Sequence, residues 1–306
     1  AARGLRRELI AMEQSVHREP AGTLRQLERM VAVYEKADSE TQLWYLLRRA
    51  QAHKALFMYD RFEEDIELAA AARISGASPE LVLWLQTYAG IVEINRGELK
   101  RGTEILGGVA GQALNIDARR LYVFAQQELA FTLGLLEQYD TSLEELQRAY
   151  GVALDLGQRD LMAMVNDAYG AVYAYIGDYP RSLEFYAKAL EDFRRLGYKE
   201  QTASVLQGLA STNRYAGDWS EAEKYFREYL DFTGYAPGGS RLFYGHYGLA
   251  MTYAEQGDCG RAAPQIAISL DHPGPGPADG ALLQQFGVEV VRAGVIQGNG
   301  RLGRGV

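Results

Sequence analysis

The sequence predicts an all-α, right-handed superhelical solenoid of antiparallel helix pairs, and three observations carry that prediction. The dipeptide Gly-Asp recurs at Gly177-Asp178, Gly217-Asp218 and Gly257-Asp258, forty residues apart each time. Seven residues before each turn stands a small residue, Gly170, Ala210 or Ala250, preceded by a large apolar one, Tyr169, Leu209 or Leu249. The chain has 306 residues, 47 % apolar and 24 % charged, enough apolar surface for a folded core and long for a single compact one.

The repeat extends backwards from these copies. Steps of forty reach Glu137, in the turn EQYD, and Gly97, in the turn RGEL. Two residues beyond each turn comes Leu99, Tyr139, Tyr179, Trp219 or Cys259, and three further on Gly102, Ser142, Ser182, Ala222 or Ala262. Four beyond that stand Leu106, Leu146, Tyr186, Phe226 and Ile266. Small residues on both helices of a pair permit close approach, and the large ones fill the space beside that contact. The turn glycine ends the first helix, and Leu156-Gly157 and Leu196-Gly197 end second helices in the same way. A lone pair cannot bury its apolar face, so pairs must stack.

In chain order, residues 1–77 read as degenerate N-terminal repeats. Residues 3–36 form one pair broken at Pro20, and residues 40–75 a second pair whose register slips by about three. Residues 78–270 hold the clear repeats. Residues 271–306 read as a Gly-rich tail or linker, or else as a truncated further repeat, and Pro264 stands inside what should be the last helix.

This small–aromatic–turn–small–aromatic series resembles the tetratricopeptide repeat family. The best copy is Tyr169, Gly170, Tyr173, Gly177, Tyr179, Ser182, Tyr186 and Ala189. The family period is about 34 residues, so a period of forty implies longer helices. The resemblance implies that the first helix of each pair lines a concave groove. The positions it assigns there are Trp84, Thr87, Asn95, Phe124, Gln127, Asp167, Tyr175, Gln207, Arg214, Tyr215, Tyr244, Tyr247 and Glu255. Aromatic rings interspersed with polar groups suit an extended peptide, a protein segment or a small organic ligand. The lysine-and-asparagine clamp that some family members use for carboxylate termini is missing from these positions.

The sequence offers no catalytic site. It has no phosphate-binding loop, dinucleotide fingerprint or HExxH motif, and no cofactor is expected. His17, His53, His246 and His272 stand far apart without ligand spacing, and Cys259 is the single cysteine, so no metal site is expected. A net charge of −8 disfavours nucleic acid as a partner. No apolar run is long enough for a membrane span. Exposed array ends make a homodimer an open expectation, and bacterial cytoplasm and periplasm both remain open.

The phrases ALEDFRRLGYKEQTASVLQGLASTNRYAGDWSEAEKYF and HYGLAMTYAEQGDC look like the N-terminal arrays of GGDEF-type diguanylate cyclases. That likeness implies the input part of a bacterial signalling protein. The alternatives are the sensor or protein-interaction part of a transcription regulator, since peptide-pheromone receptors carry similar long repeats, and a free-standing adaptor.

Overall fold

A computed structural model describes residues 2–72 and 76–272, and every described element is helical. The expectations for Gly-rich residues 273–306 lie outside the described residues. The chain divides into two compact units, residues 1–205 and 206–306.

The first unit opens with four short helices, α1 (Ala2–Ala11), α2 (Glu13–Arg18), α3 (Pro20–Arg29) and α4 (Val31–Tyr34). Pro20 occupies the first turn of α3, where its missing N–H costs nothing. The pairs follow: α5 (Ser39–Ala55) with α6 (Tyr59–Ala71), α7 (Pro79–Asn95) with α8 (Leu99–Asn115), and α9 (Arg119–Leu135) with α10 (Tyr139–Asp155). Next come α11 (Arg159–Ile176) with α12 (Tyr179–Leu196), and then α13 (Lys199–Tyr215), inside which the division between units falls. The second unit continues with α14 (Trp219–Phe232), α15 (Ser240–Glu255) and α16 (Cys259–Leu270).

The Gly-Asp dipeptide does two jobs at once. Gly177 adopts φ +88, its N–H bonds to the Ala174 carbonyl, and the Asp178 N–H reaches back to the Tyr173 carbonyl at 2.9 Å. That is a Schellman ending, which satisfies carbonyls the helix leaves open. The Asp178 carboxylate then caps the next helix by accepting from the Arg181 N–H at 3.1 Å. Asp218 and Asp258 cap α14 and α16 in the same way, through the Glu221 and Arg261 N–H groups. Glu137 keeps this geometry without glycine, at φ +60.

The same turn geometry corrects the reading of residues 40–75. Phe57 adopts φ +58, forty residues before Gly97, so the register does not slip there. Ala50, Phe62 and Ile66 occupy the places of Gly90, Gly102 and Leu106 and are buried. The pattern is hidden because Phe57 stands where glycine was expected and Phe62 where a small residue was expected.

Within a pair the small residues act as predicted. A methyl group added at Gly170 would lie 2.6 Å from the Tyr186 ring, so only glycine admits that ring. The Ser182 hydroxyl donates to the Gly170 carbonyl at 2.7 Å, and the Ser142 hydroxyl to the Ala130 carbonyl at 2.6 Å. These bonds tie the second helix to the first while keeping both hydroxyls satisfied. In the second unit, Phe226, Leu249, Ala250, Tyr253, Ala262 and Ile266 form the corresponding core, and α16 runs through Pro264.

Candidate functional site

In the first unit the first helices of successive pairs, α5, α7, α9, α11 and the start of α13, converge on one groove. Lys54 on α5 forms an ion pair with Glu200 on α13, although 146 residues separate them in sequence. That pair links α5 to α13 across the groove, which holds an open cavity of about 240 Å³. Its polar wall carries Lys54, Asn95, Gln127, Glu128, Asp167 and Ser204, and its apolar wall includes Tyr59, Ile91 and Phe131. A smaller space of about 90 Å³ shares Lys54, Gln127, Glu128, Asp167 and Ser204 and adds Phe124, Glu200 and Gln201.

The N-terminal helices close one end of the groove. The His17 ring stacks on Tyr198 with centroids 4.6 Å apart, and Arg18 donates to the Leu196 carbonyl at 3.0 Å. Arg120 on α9 meets Glu13 at 3.0 Å and Asp160 on α11 at 2.6 Å. Buried Arg48 donates to the Leu9 and Ile10 carbonyls in the last turn of α1. Short helix α2 thus bridges α5, α9 and the start of α13. Burial pushes the His17 pKa down, which keeps the stacked ring neutral at pH 7.

Low polarity and mutual repulsion govern the charges in the cavity. Burial opposes the Lys54 charge, but Glu200, with help from Tyr59 and Glu128, outweighs it and pushes the pKa up, so Lys54 stays protonated. Burial raises Asp167 to about 7, and the charge of Glu128 adds to this, against the Ser204 hydrogen bond and Lys54. Glu128 is also raised by burial, against Lys54 and a hydrogen bond from Gln127 at 2.6 Å. Burial lifts the Tyr59 hydroxyl to about 12, so it remains a neutral donor.

The residues expected to line one groove fall into two groups. Trp84, Asn95, Phe124, Gln127 and Asp167 gather in the first unit, with Trp84 tilted against Phe124 at 5.3 Å. Gln207, Arg214, Tyr215, Tyr244 and Tyr247 line a separate cavity of about 230 Å³ in the second unit, and there Arg214 lies over Tyr215 and pairs with Glu255. Tyr175 lines none of these cavities: it is 40 % exposed and packs near Phe131, 6.1 Å away. Thr87 is buried and turns its hydroxyl back to the Leu83 carbonyl of its own helix.

Lys54, Glu128, Glu200, Gln201 and Ser204 were missed as site residues. One signal was available: with the register carried back to Ala50, Lys54 takes the groove position that Arg214 holds four repeats later. Among the described residues no three His, Cys, Asp or Glu side chains gather as a metal site, and no helix is long and apolar enough to cross a membrane.

Helix pairs held in a forty-residue register, with first helices turned to a shared groove, define a helical-repeat protein. Residues 160–233 of it match the family model described as "Tetratricopeptide repeat". Among curated proteins none matches the sequence. Solved structures share the fold at low identity. NprR in complex with its cognate peptide NprX is 16 % identical with a TM-score of 0.64, over 95 % of this chain and 84 % of that one. A Rap protein complexed with Competence and Sporulation Factor is 12 % identical with a TM-score of 0.61, over 83 % and 76 %. The apo form of the quorum sensor NprR from B. thuringiensis is 15 % identical with a TM-score of 0.55, over 93 % and 80 %.

Proposed function

We propose that this chain is a non-catalytic recognition module that takes a short peptide into the groove of its first unit. The carrying observation is the convergence of Asn95, Gln127, Glu128, Asp167 and Ser204, from four successive first helices, on one cavity. Side chains spaced along successive helices offer alternating hydrogen-bonding and apolar contacts to an extended chain. The likeness to NprR in complex with a peptide and to a Rap protein with a bound factor supports this reading.

In its protein context the module is an input part of a bacterial signalling protein. The repeat phrasing favours a diguanylate cyclase. The fold likeness to a quorum sensor favours the regulator alternative. In either setting a ligand acts by binding one groove curvature better than another.

Selection of random seven-residue peptides on the purified chain tests the proposal. Selected peptides are expected to lose affinity by about tenfold for Gln127→Ala, the scale of one buried hydrogen bond. Tyr244→Ala, in the other cavity, should leave that affinity unchanged. Loss with Tyr244→Ala alone would move the site to the second unit, and failure to select any peptide would overturn the proposal.

A further inference from the structure

We infer that the cavity of the first unit receives a protonated amine or guanidinium group, so that the peptide bound there presents a free N-terminus, lysine or arginine to Glu128 and Asp167. The inference rests on the peptide reading above and adds the chemistry of recognition. Three carboxylates, Glu128, Asp167 and Glu200, line the smaller space with one ammonium, Lys54. Lys54 is committed to Glu200, and neither Glu128 nor Asp167 forms an ion pair among the described residues.

A second observation points the same way. Glu128 and Asp167 each accept one side-chain hydrogen bond, from Gln127 and Ser204 respectively, which leaves most of their acceptor positions open, and an ammonium or guanidinium brings several N–H donors to fill them. Phe124 and Phe131 stand in the walls, and aromatic faces stabilise organic cations. A metal ion fits less well, because the carboxylates do not gather as a metal site. The raised affinity of Asp167 for its proton has the same origin, since a low-polarity site with excess acceptors takes up a proton when no other cation is present.

The test extends the peptide selection to the Glu128→Gln, Asp167→Asn double variant, followed by calorimetry. Peptides selected on the parent chain are expected to be enriched in lysine or arginine. Replacing that residue by norleucine, or acetylating the N-terminus where it is the cation, should cost about tenfold to a hundredfold in affinity. The double variant should bind the parent peptide and its neutral analogue alike. The ligand-side replacement leaves the protein untouched and decides the matter even if the variant does not fold. Selected peptides without basic residues, bound equally with acetylated termini, would overturn the cation site while leaving the groove as a peptide site. Titration with agmatine and spermidine separates the sources. Amine binding that is lost in the double variant, with no peptide selected, would keep the cation site and overturn the peptide reading. Failure of both would overturn both.

Discussion

Asp167 shows how one side chain couples the groove to pH. Facing it are Glu128 from α9, Lys54 from α5, Glu200 and Ser204 from α13, and Tyr186 from α12. Its pKa is raised from 3.8 to about 7, so between those values the folded chain holds a proton that the unfolded chain has released. Stability contributed by this group is therefore full near pH 4, falls as pH rises, and levels off above pH 7. Asp167→Asn should match the parent chain near pH 4 and exceed it at pH 8 by about 1–3 kcal/mol, less than the full shift implies because the cavity admits some water. Thermal melts across that range measure the difference. An advantage at pH 4 that vanished at pH 8 would contradict this account of the carboxyl. Asp167 was legible in the sequence because it stands at a groove position of a clear repeat. Lys54 was not, because Phe57 at the turn hid the register that places it at a groove position, and Glu128 was not, because a charged residue on a helix ordinarily faces solvent.

At the scale of the element, the turn decides what can be read. Gly-Asp fixes both the left-handed ending of one helix and the cap of the next, so every turn that carries it was found. Phe57, Asp117 and Glu137 adopt the same left-handed conformation without glycine, at φ +58, +58 and +60. Packing holds them there against their intrinsic preference, which conceals the turn from sequence and stores strain in the structure. Glu137→Gly should therefore raise stability by about 0.5–1 kcal/mol, because relief of strain exceeds the added freedom of the unfolded chain. A chemical denaturation midpoint that rises, with an unchanged slope, checks this. The same change at Phe57 has no such expectation, because its side chain is buried and its loss would open a cavity.

At the scale of the molecule, the closure of the first unit across its own groove went unread. Each repeat encodes contact with its neighbours, whereas the Lys54–Glu200 pair depends on curvature accumulated over several repeats. Breaking that pair on one side should be worse than removing both charges, since a lone ion remains in a low-polarity setting. Lys54→Met and Glu200→Gln are each expected to cost about 1–2 kcal/mol, and the double variant less than their sum. A double-mutant cycle by denaturation gives the coupling, and strict additivity would mean that the two side chains do not meet in solution.

Helix α2 makes the same closure a matter of folding. Arrays whose repeats touch only their neighbours can unravel from an end, one repeat at a time. Here Arg18 and the Leu196 carbonyl, 178 residues apart, are joined, and His17 lies on Tyr198. These long-range contacts raise the contact order of the first unit and bind its first and last helices into one cooperative block. The first unit should consequently fold more slowly than an open array of equal length and lose its amide protection at both ends together.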